Sequence, residues 1–312
     1  MPDDRIAVID IGTNSILLLI AERMDGDTVS ILCQQSKTAR LGQGLHATQQ
    51  IGETGLSRAV TVIQEYQILA GQYNVHRITA VGTRVFRSAG NSDAVRRHIR
   101  KAAGLDIEIL SETDEARWSF AGAVHQRPLT TGVMVVDIGG GSTELVTGTP
   151  EYISRTESLP AGAVVLTEQH IRHDPPSREE WNNLDSHIRE MVAAYPGRYP
   201  EEGTGLIGVG GTITTLAAMD LKCREYRPER IDGHSLSHQR VRMFTDQLRR
   251  TGTVQTKMNI PFDPQRADIL PAGAALLNRI MEAGRFRKII TSDRGLRFGI
   301  ALRELTNNAL IS

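Results

Sequence analysis

Cysteine is nearly absent. Two residues in a chain of 312, Cys33 and Cys223, rule out a disulfide-stapled scaffold, and neither sits at a metal or redox spacing. A reduced cytoplasmic protein is the expectation. Neither sign of charge is in excess, since Lys plus Arg and Asp plus Glu both number 36. Attraction of nucleic acid or a membrane by the whole molecule is therefore not expected, and any polyanion must be met by a local patch. Long apolar runs are missing too. The longest, Ile16 to Ala21, is far short of the roughly 20 residues that cross a bilayer. The opening "MPDDRIAVID" also lacks the basic start and apolar centre of a cleavable leader.

What is present is ordinary for a globular protein: 40% apolar and 23% charged residues, enough for one large or two ordinary cores. "RIAVID", "SILLLIAERM" and "TVSILCQQ" read as three strands joined by turns at Ile11–Asn14 and at Asp25-Gly26-Asp27. A helix is expected from about Leu56 to Tyr73, then alternating strands ("RITAVG", "DIEIL") and helices ("SDAVRRHIRKA", and one opening at "ETDEARW"). After Pro128 the plan restarts with "GVMVVD" and two strands meeting at Gly148-Thr149-Pro150. Helices at about Ala161–Ile171 and Arg178–Ala194, a strand "GLIGVG" and a helix from Thr212 to Met219 follow. Tyr195 to Gly205 reads as an exposed loop. "DIG" occurs at 10–12 and again at 137–139, each time between a strand and a hairpin, which marks a duplication on the scale of a half-molecule. Two α/β lobes with a cleft between them are expected, at 1–124 and 125–312.

The chemistry gathers at three glycine turns. In "VVDIGGGSTEL", Gly139, Gly140 and Gly141 let backbone approach a ligand closely and turn N–H groups outward. Ser142 and Thr143 add hydroxyls, and Asp137 and Glu144 bracket the turn. Two acids beside a phosphate cradle make sense if a divalent cation such as Mg²⁺ lies between them. A tight turn with solvated carboxylates is the alternative. "IDIGTNS" places Asp10, Asn14 and Ser15 in the equivalent first turn, and "GVGGTITTLAA" runs Gly210, Gly211 and Thr212 into a helix N-terminus, a natural phosphate seat. The segment Arg77 to Lys101 holds seven Lys or Arg and one acid, Asp93. That local excess suits a polyanion, or simply a solvated helix face.

These three motifs, with "VGTRVFRSAGN", "ETDEARWSFAGA", "QHIRHDPPS", "RADILPAGAALL" and "SDRGLRFGI", resemble the exopolyphosphatase and guanosine pentaphosphate phosphohydrolase family. The resemblance runs through the whole chain in order. It implies two ribonuclease H-like lobes of the actin-like ATPase type, a C-terminal helix at about 297–312 packed back on the first lobe, and the short form without further C-terminal domains. It implies a Mg²⁺-dependent hydrolase of polyphosphate or pppGpp, and a homodimer by analogy. Glu115 is implied as the base that orients water, Asp137, Glu144 and Asp10 as metal-site acids, and Glu144 also as a water-orienting group. Arg87 is implied as a phosphate contact, a role suited to a rigid guanidinium fork. Arg266 is a further arginine that would reach phosphate, from this chain or a second subunit. Without the motif, Glu115 reads as a first-turn glutamate on a helix dipole, and Arg87 as a surface arginine. Two positions depart from the pattern: Leu17 stands near a usual arginine, and Phe298 where the closing motif usually has an acid. A superfamily kinase and a guanosine alarmone-binding module without turnover are the competing readings.

Overall fold

The computed structural model describes residues 4–24, 28–129, 131–194 and 204–306. The turn expected at Asp25-Gly26-Asp27, most of the 195–205 loop and the end of the C-terminal helix beyond 306 lie outside them. The chain forms two compact units, Met1–His125 with Arg294–Ser312, and Gln126–Asp293.

The first unit opens with β1 (Arg5–Ile11), β2 (Ser15–Arg23) and β3 (Val29–Thr38). Helices α1 (Leu45–Thr48) and α2 (Glu53–Gln72), strand β4 (Ile78–Gly82), helices α3 (Arg84–Ser88) and α4 (Ser92–Ala103), strand β5 (Ile107–Ile109) and helix α5 (Glu112–Val124) follow. The sheet order is β3-β2-β1-β4-β5, with β1–β2 and β2–β3 antiparallel and β1–β4 and β4–β5 parallel. Strand geometry explains the unbroken apolar sequence of β1, because successive side chains serve opposite faces. Ala7, Ile9 and Ile11 enter one core with Ala59, Ile63 and Tyr66 of α2. Ile6 and Val8 enter the other with Leu296 and Leu302. Asp10 continues the second set and so lies on the face that α5 and the C-terminal helix cover.

The second unit repeats the plan. Strands β6 (Val133–Ile138), β7 (Thr143–Thr149) and β8 (Tyr152–Leu159) form the meander, followed by α6 (Ala163–His170), α7 (Arg178–Ala193), β9 (Gly205–Val209) and α8 (Gly211–Asp220). Then come α9 (Pro228–Ile231), β10 (Ser235–Ser237), α10 (His238–Leu248), α11 (Thr253–Asn259), α12 (Leu270–Ala283) and β11 (Lys288–Thr291). The order β10-β11-β9-β6-β7-β8 reproduces the first sheet from β8 to β11 and adds β10 at its edge. Helix α13 (Leu296–Leu305) then returns to the first unit and packs on α5 and β1. Glycine makes the close approach of α5 and α13 possible, since a Cβ on Gly299 would lie 1.9 Å from the Trp118 carbonyl oxygen. Phe298, the departure from the family's acid, is 1% exposed in that core, with the Arg294 guanidinium 5.0 Å over its ring. Its role is packing. Among the described residues no helix is long and apolar enough to cross a membrane.

Candidate active site

In open α/β sheets, ligands bind beyond the carboxyl ends of the parallel strands. The predicted residues fall there in both units. In the first, Asp10 stands near the end of β1, Asn14 lies in the turn after it and Ser15 opens β2, Arg87 follows β4 in α3, and Glu115 follows β5 in α5. In the second, Asp137 and the glycine turn end β6, and Gly210 to Thr212 end β9.

The two hairpin turns are built alike. Gly12 N–H donates to the Ser15 carbonyl at 3.1 Å, and Gly139 N–H to the Ser142 carbonyl at 3.0 Å. A Cβ on either glycine would stand 3.2 Å from that same oxygen. Register then separates them chemically. Asp10 lies opposite Leu17, whereas Asp137 lies opposite Glu144. Directly opposed residues place their Cβ atoms about 5 Å apart. Carboxylates on such neighbouring positions repel when both are ionised, and a cation between them relieves that repulsion. Glu144 is 2% exposed and accepts a hydrogen bond from Ser158 Oγ at 3.2 Å. The opposed pair of acids thus occurs in the second unit. Leu17, the other departure, is the reason the first hairpin lacks such a pair.

The 139–142 turn is fixed from behind. The Gly139 carbonyl accepts from Ala163 N–H at 3.0 Å and the Gly140 carbonyl from Val164 at 2.9 Å, so the turn caps α6. A Cβ on Gly162 would sit 2.5 Å from the Gly140 carbonyl carbon, a contact only glycine allows. Thr143 is fully buried, and its hydroxyl donates to the Ala161 carbonyl at 2.8 Å. Its side chain braces the turn. Thr212 is likewise 1% exposed and its side chain packs against Gly273 of α12.

At the start of α8, Gly210 has φ +91°, a left-handed conformation that favours glycine. A Cβ there would lie 2.5 Å from the Ile138 carbonyl oxygen and 2.9 Å from Asp137 Oδ1. The start of α8 and the Asp137 carboxylate are therefore in contact. Arg266 packs against the start of α8 within its own unit. A Cβ on Gly211 would fall 2.2 Å from its guanidinium carbon, and Nε donates to Asp263 Oδ2 at 2.8 Å. A buried guanidinium beside a helix N-terminus joins two positive ends, an arrangement that favours an anion.

In the first unit, Asn14 is buried, and its side chain donates to Ser15 Oγ at 3.2 Å. Its carbonyl accepts from Ala39 and Arg40 N–H, which ties the turn to the loop after β3. Helix α5 is capped by Ser111, whose Oγ accepts from Asp114 N–H at 3.0 Å. Three acids occupy its first turn, Glu112, Asp114 and Glu115. Glu112 and Asp114 are exposed and suffice for the helix dipole, whereas Glu115 is 9% exposed. Its Oε2 lies 2.7 Å from Arg87 Nη1, and that nitrogen also donates to the Leu110 carbonyl at 2.8 Å. A buried carboxylate compensated by a guanidinium is not a surface capping group. Among the described residues, Arg87 Nε and Nη2 are buried with no hydrogen-bond partner.

A family model described as the Ppx/GppA phosphatase family matches residues 19–308. The chain belongs to that family. Exopolyphosphatase 2 of Mycobacterium tuberculosis is 30% identical, with 96% of this chain and 98% of that protein covered. Exopolyphosphatase 1 of Mycobacterium bovis is 26% identical, over 98% and 89%. Among solved structures, the Aquifex aeolicus Ppx/GppA family member superposes with a TM-score of 0.79 at 29% identity, covering 96% and 97%. An exopolyphosphatase from Cytophaga hutchinsonii does so with 0.88 at 25% identity, covering 99% and 100%. The expected family and actin-like fold are thus found, and the chain is a hydrolase of phosphoanhydride bonds.

Proposed function

We propose that this Ppx/GppA phosphatase removes terminal orthophosphate from inorganic polyphosphate or from pppGpp, in a Mg²⁺-dependent reaction with Glu115 as the base. The observation that carries the reading is the buried Arg87–Glu115 ion pair at the carboxyl ends of β4 and β5. Hydrolysis needs a base held in place for water and a cation for the phosphate it attacks, and these are those two groups. Glu115 accepts a proton as the water oxygen bonds to the terminal phosphorus. The bridging P–O bond breaks, and the shortened chain leaves as an anion. Arg87 offers its remaining N–H groups to phosphate oxygens. Backbone N–H groups of Gly139 to Ser142 and of Gly210 to Thr212, with Arg266 beside them, hold the anionic substrate. Asn14 and Ser15 are assigned to the same task on the first hairpin.

Among the described residues no three His, Cys, Asp or Glu side chains form a protein-only metal cage. Mg²⁺ takes one or two carboxylates and fills its shell with water and phosphate oxygens. Asp137 and Glu144, one opposite the other, would hold it, with Asp10 the acid of the first hairpin. When bound, the ion relieves their repulsion and neutralises charge on the phosphates. The test is phosphate release from tripolyphosphate, long-chain polyphosphate and pppGpp with Mg²⁺, without ATP or any acceptor. Release from at least one substrate supports the reading. Turnover that requires an acceptor would assign a kinase, and alarmone binding without turnover a sensor.

A further inference from the structure

The first unit carries a basic feature that the catalytic reading leaves unused. Arginines are strung along the outer edge of its sheet, where β5 is the last strand. Arg87 donates to the Leu110 carbonyl at 2.8 Å. Arg96 Nη2 donates to the Ile107 carbonyl at 3.1 Å. Arg100 Nε lies 3.4 Å from Asp106 Oδ1. At about 3.3 Å per residue along a strand, Leu110 to Ile107 spans about 10 Å, so the guanidiniums form a row leading away from Glu115.

Helix α4 widens the row into a surface. Val95 and Ile99 are its buried side. Arg97, Arg100 and Lys101, spaced i, i+3, i+4, share an exposed face. The helix is held rigidly: Asn91 at its start both donates to the Ile51 carbonyl and accepts from Ile51 N–H at 2.9 Å. Its last carbonyls accept from Gln64 at 2.9 Å and Gln67 at 2.8 Å. The acids nearby do not cancel the excess. Glu108 is taken by a bidentate pair with Arg303 at 2.9 and 2.8 Å. Asp93 and Asp106 lie at 3.5 and 3.4 Å from Arg96 and Arg100, both loose and exposed. Four cations thus face two acids.

We infer that this row is the track for the body of a polyphosphate chain, running from Arg87 past Arg96 onto the exposed face of α4 while the terminal phosphate is at Glu115. It rests on the hydrolase reading and adds where the uncleaved chain lies. Tripolyphosphate is too short to use the outer positions, whereas a long chain covers them all. Exposed charge pairs contribute about 0–1 kcal/mol each, so three outer cations give roughly tenfold in affinity and make it salt-dependent.

The experiment is steady-state kinetics of the wild-type chain and the triple variant Arg97→Gln, Arg100→Gln, Lys101→Gln on tripolyphosphate and long-chain polyphosphate. The two proteins should melt within error of each other by circular dichroism, as the replaced groups are exposed. The ratio of long-chain to tripolyphosphate KM should rise roughly tenfold in the variant. The slope of log KM for the long chain against log salt should flatten by about 2–3, the number of cations removed from counterion exchange. An unchanged ratio and slope, in a protein that cleaves both substrates, overturns the track and leaves the hydrolase reading standing. A wild-type chain that cleaves neither polyphosphate overturns the track, and it overturns the hydrolase reading as well only if pppGpp is also left intact.

Discussion

Arg87 Nη1 stands 2.7 Å from Glu115 Oε2 and, through the same nitrogen, holds the Leu110 carbonyl at the mouth of α5. The Glu115 carboxylate is thereby tied to the backbone that follows β5. Glu115→Gln keeps the shape and removes the proton acceptor, so kcat should fall roughly 10²–10⁴-fold with KM little changed. Near wild-type turnover would remove Glu115 from the mechanism.

Arg87→Gln leaves the buried carboxylate without its cation and the substrate without a fork. Breaking a buried pair from one side costs about 3–5 kcal/mol, so a lower melting temperature should accompany loss of activity. Arg87→Lys should recover much of the stability but not of kcat/KM, because an ammonium cannot bridge Glu115, Leu110 and phosphate together. If the lysine variant restores both, the fork is unnecessary.

Much of this was legible beforehand, and the reasons differ by element. The meanders β1–β3 and β6–β8 announce themselves because their leading strands, β1 and β6, are largely buried on both faces and the turns after them carry glycine. Helix α2 was expected from about Leu56 but starts at Glu53; its first turn is polar and shows no helical stripe. Beyond Met219 the strands β10 and β11 span three and four residues, too few for any period to register. Each acid of the site was recognisable from its motif. Their pairing was not: Arg87 meets Glu115 only because β4 and β5 lie side by side, and Glu144 meets Asp137 only through hairpin register.

Asp137→Asn and Glu144→Gln should each raise the Mg²⁺ concentration for half-maximal activity, since each removes a formal charge from an oxygen site. Leu17→Gln, on the hairpin without an acid pair, should leave the metal titration unmoved. Low activity with an unchanged titration in either acid variant would assign that acid elsewhere.

Gly210→Ala should be costly. The left-handed backbone costs roughly 1–3 kcal/mol, and the new Cβ collides with the Ile138 carbonyl and Asp137 Oδ1. Thermal melts should show the stability loss, and a Mg²⁺ titration should show weakened metal dependence from the displaced Asp137. A variant that melts lower with normal metal response would separate the two contacts.

Acid lability should have an identifiable source. The Ser177 N–H bonded to Glu180, aided by His173 and the Arg172 N–H, pulls the Glu180 carboxyl down from 4.5 to about 2 against the opposing effect of burial. A carboxyl depressed on folding contributes stability that is complete above about 4.5 and is lost as pH falls through about 2. Urea melts of Glu180→Gln should therefore differ from wild type at pH 6 and converge toward it at pH 2. A constant difference across that range would mean the ionised carboxylate adds nothing.

Digestion of long polyphosphate should be distributive. Contacts on α4 are exposed and screened by salt, enough to gather chains but not to retain a shortened one through many cycles. Gels of partly digested polymer should show a distribution sliding downward. Full-length polymer beside free phosphate, with no intermediates, would mean a firmer grip than these charges supply.

The shared closure of the two hairpin turns, Gly12 to Ser15 and Gly139 to Ser142, is made wholly by main chain. Nothing in that closure reads the side chain that faces the preceding aspartate across the ladder. The position filled by Leu17 in one hairpin and Glu144 in the other is therefore an interchangeable socket. A doubled ancestor could place a second acid in one copy and grease in the other without disturbing either loop. Division of labour between the halves then costs a single codon's change rather than a new fold.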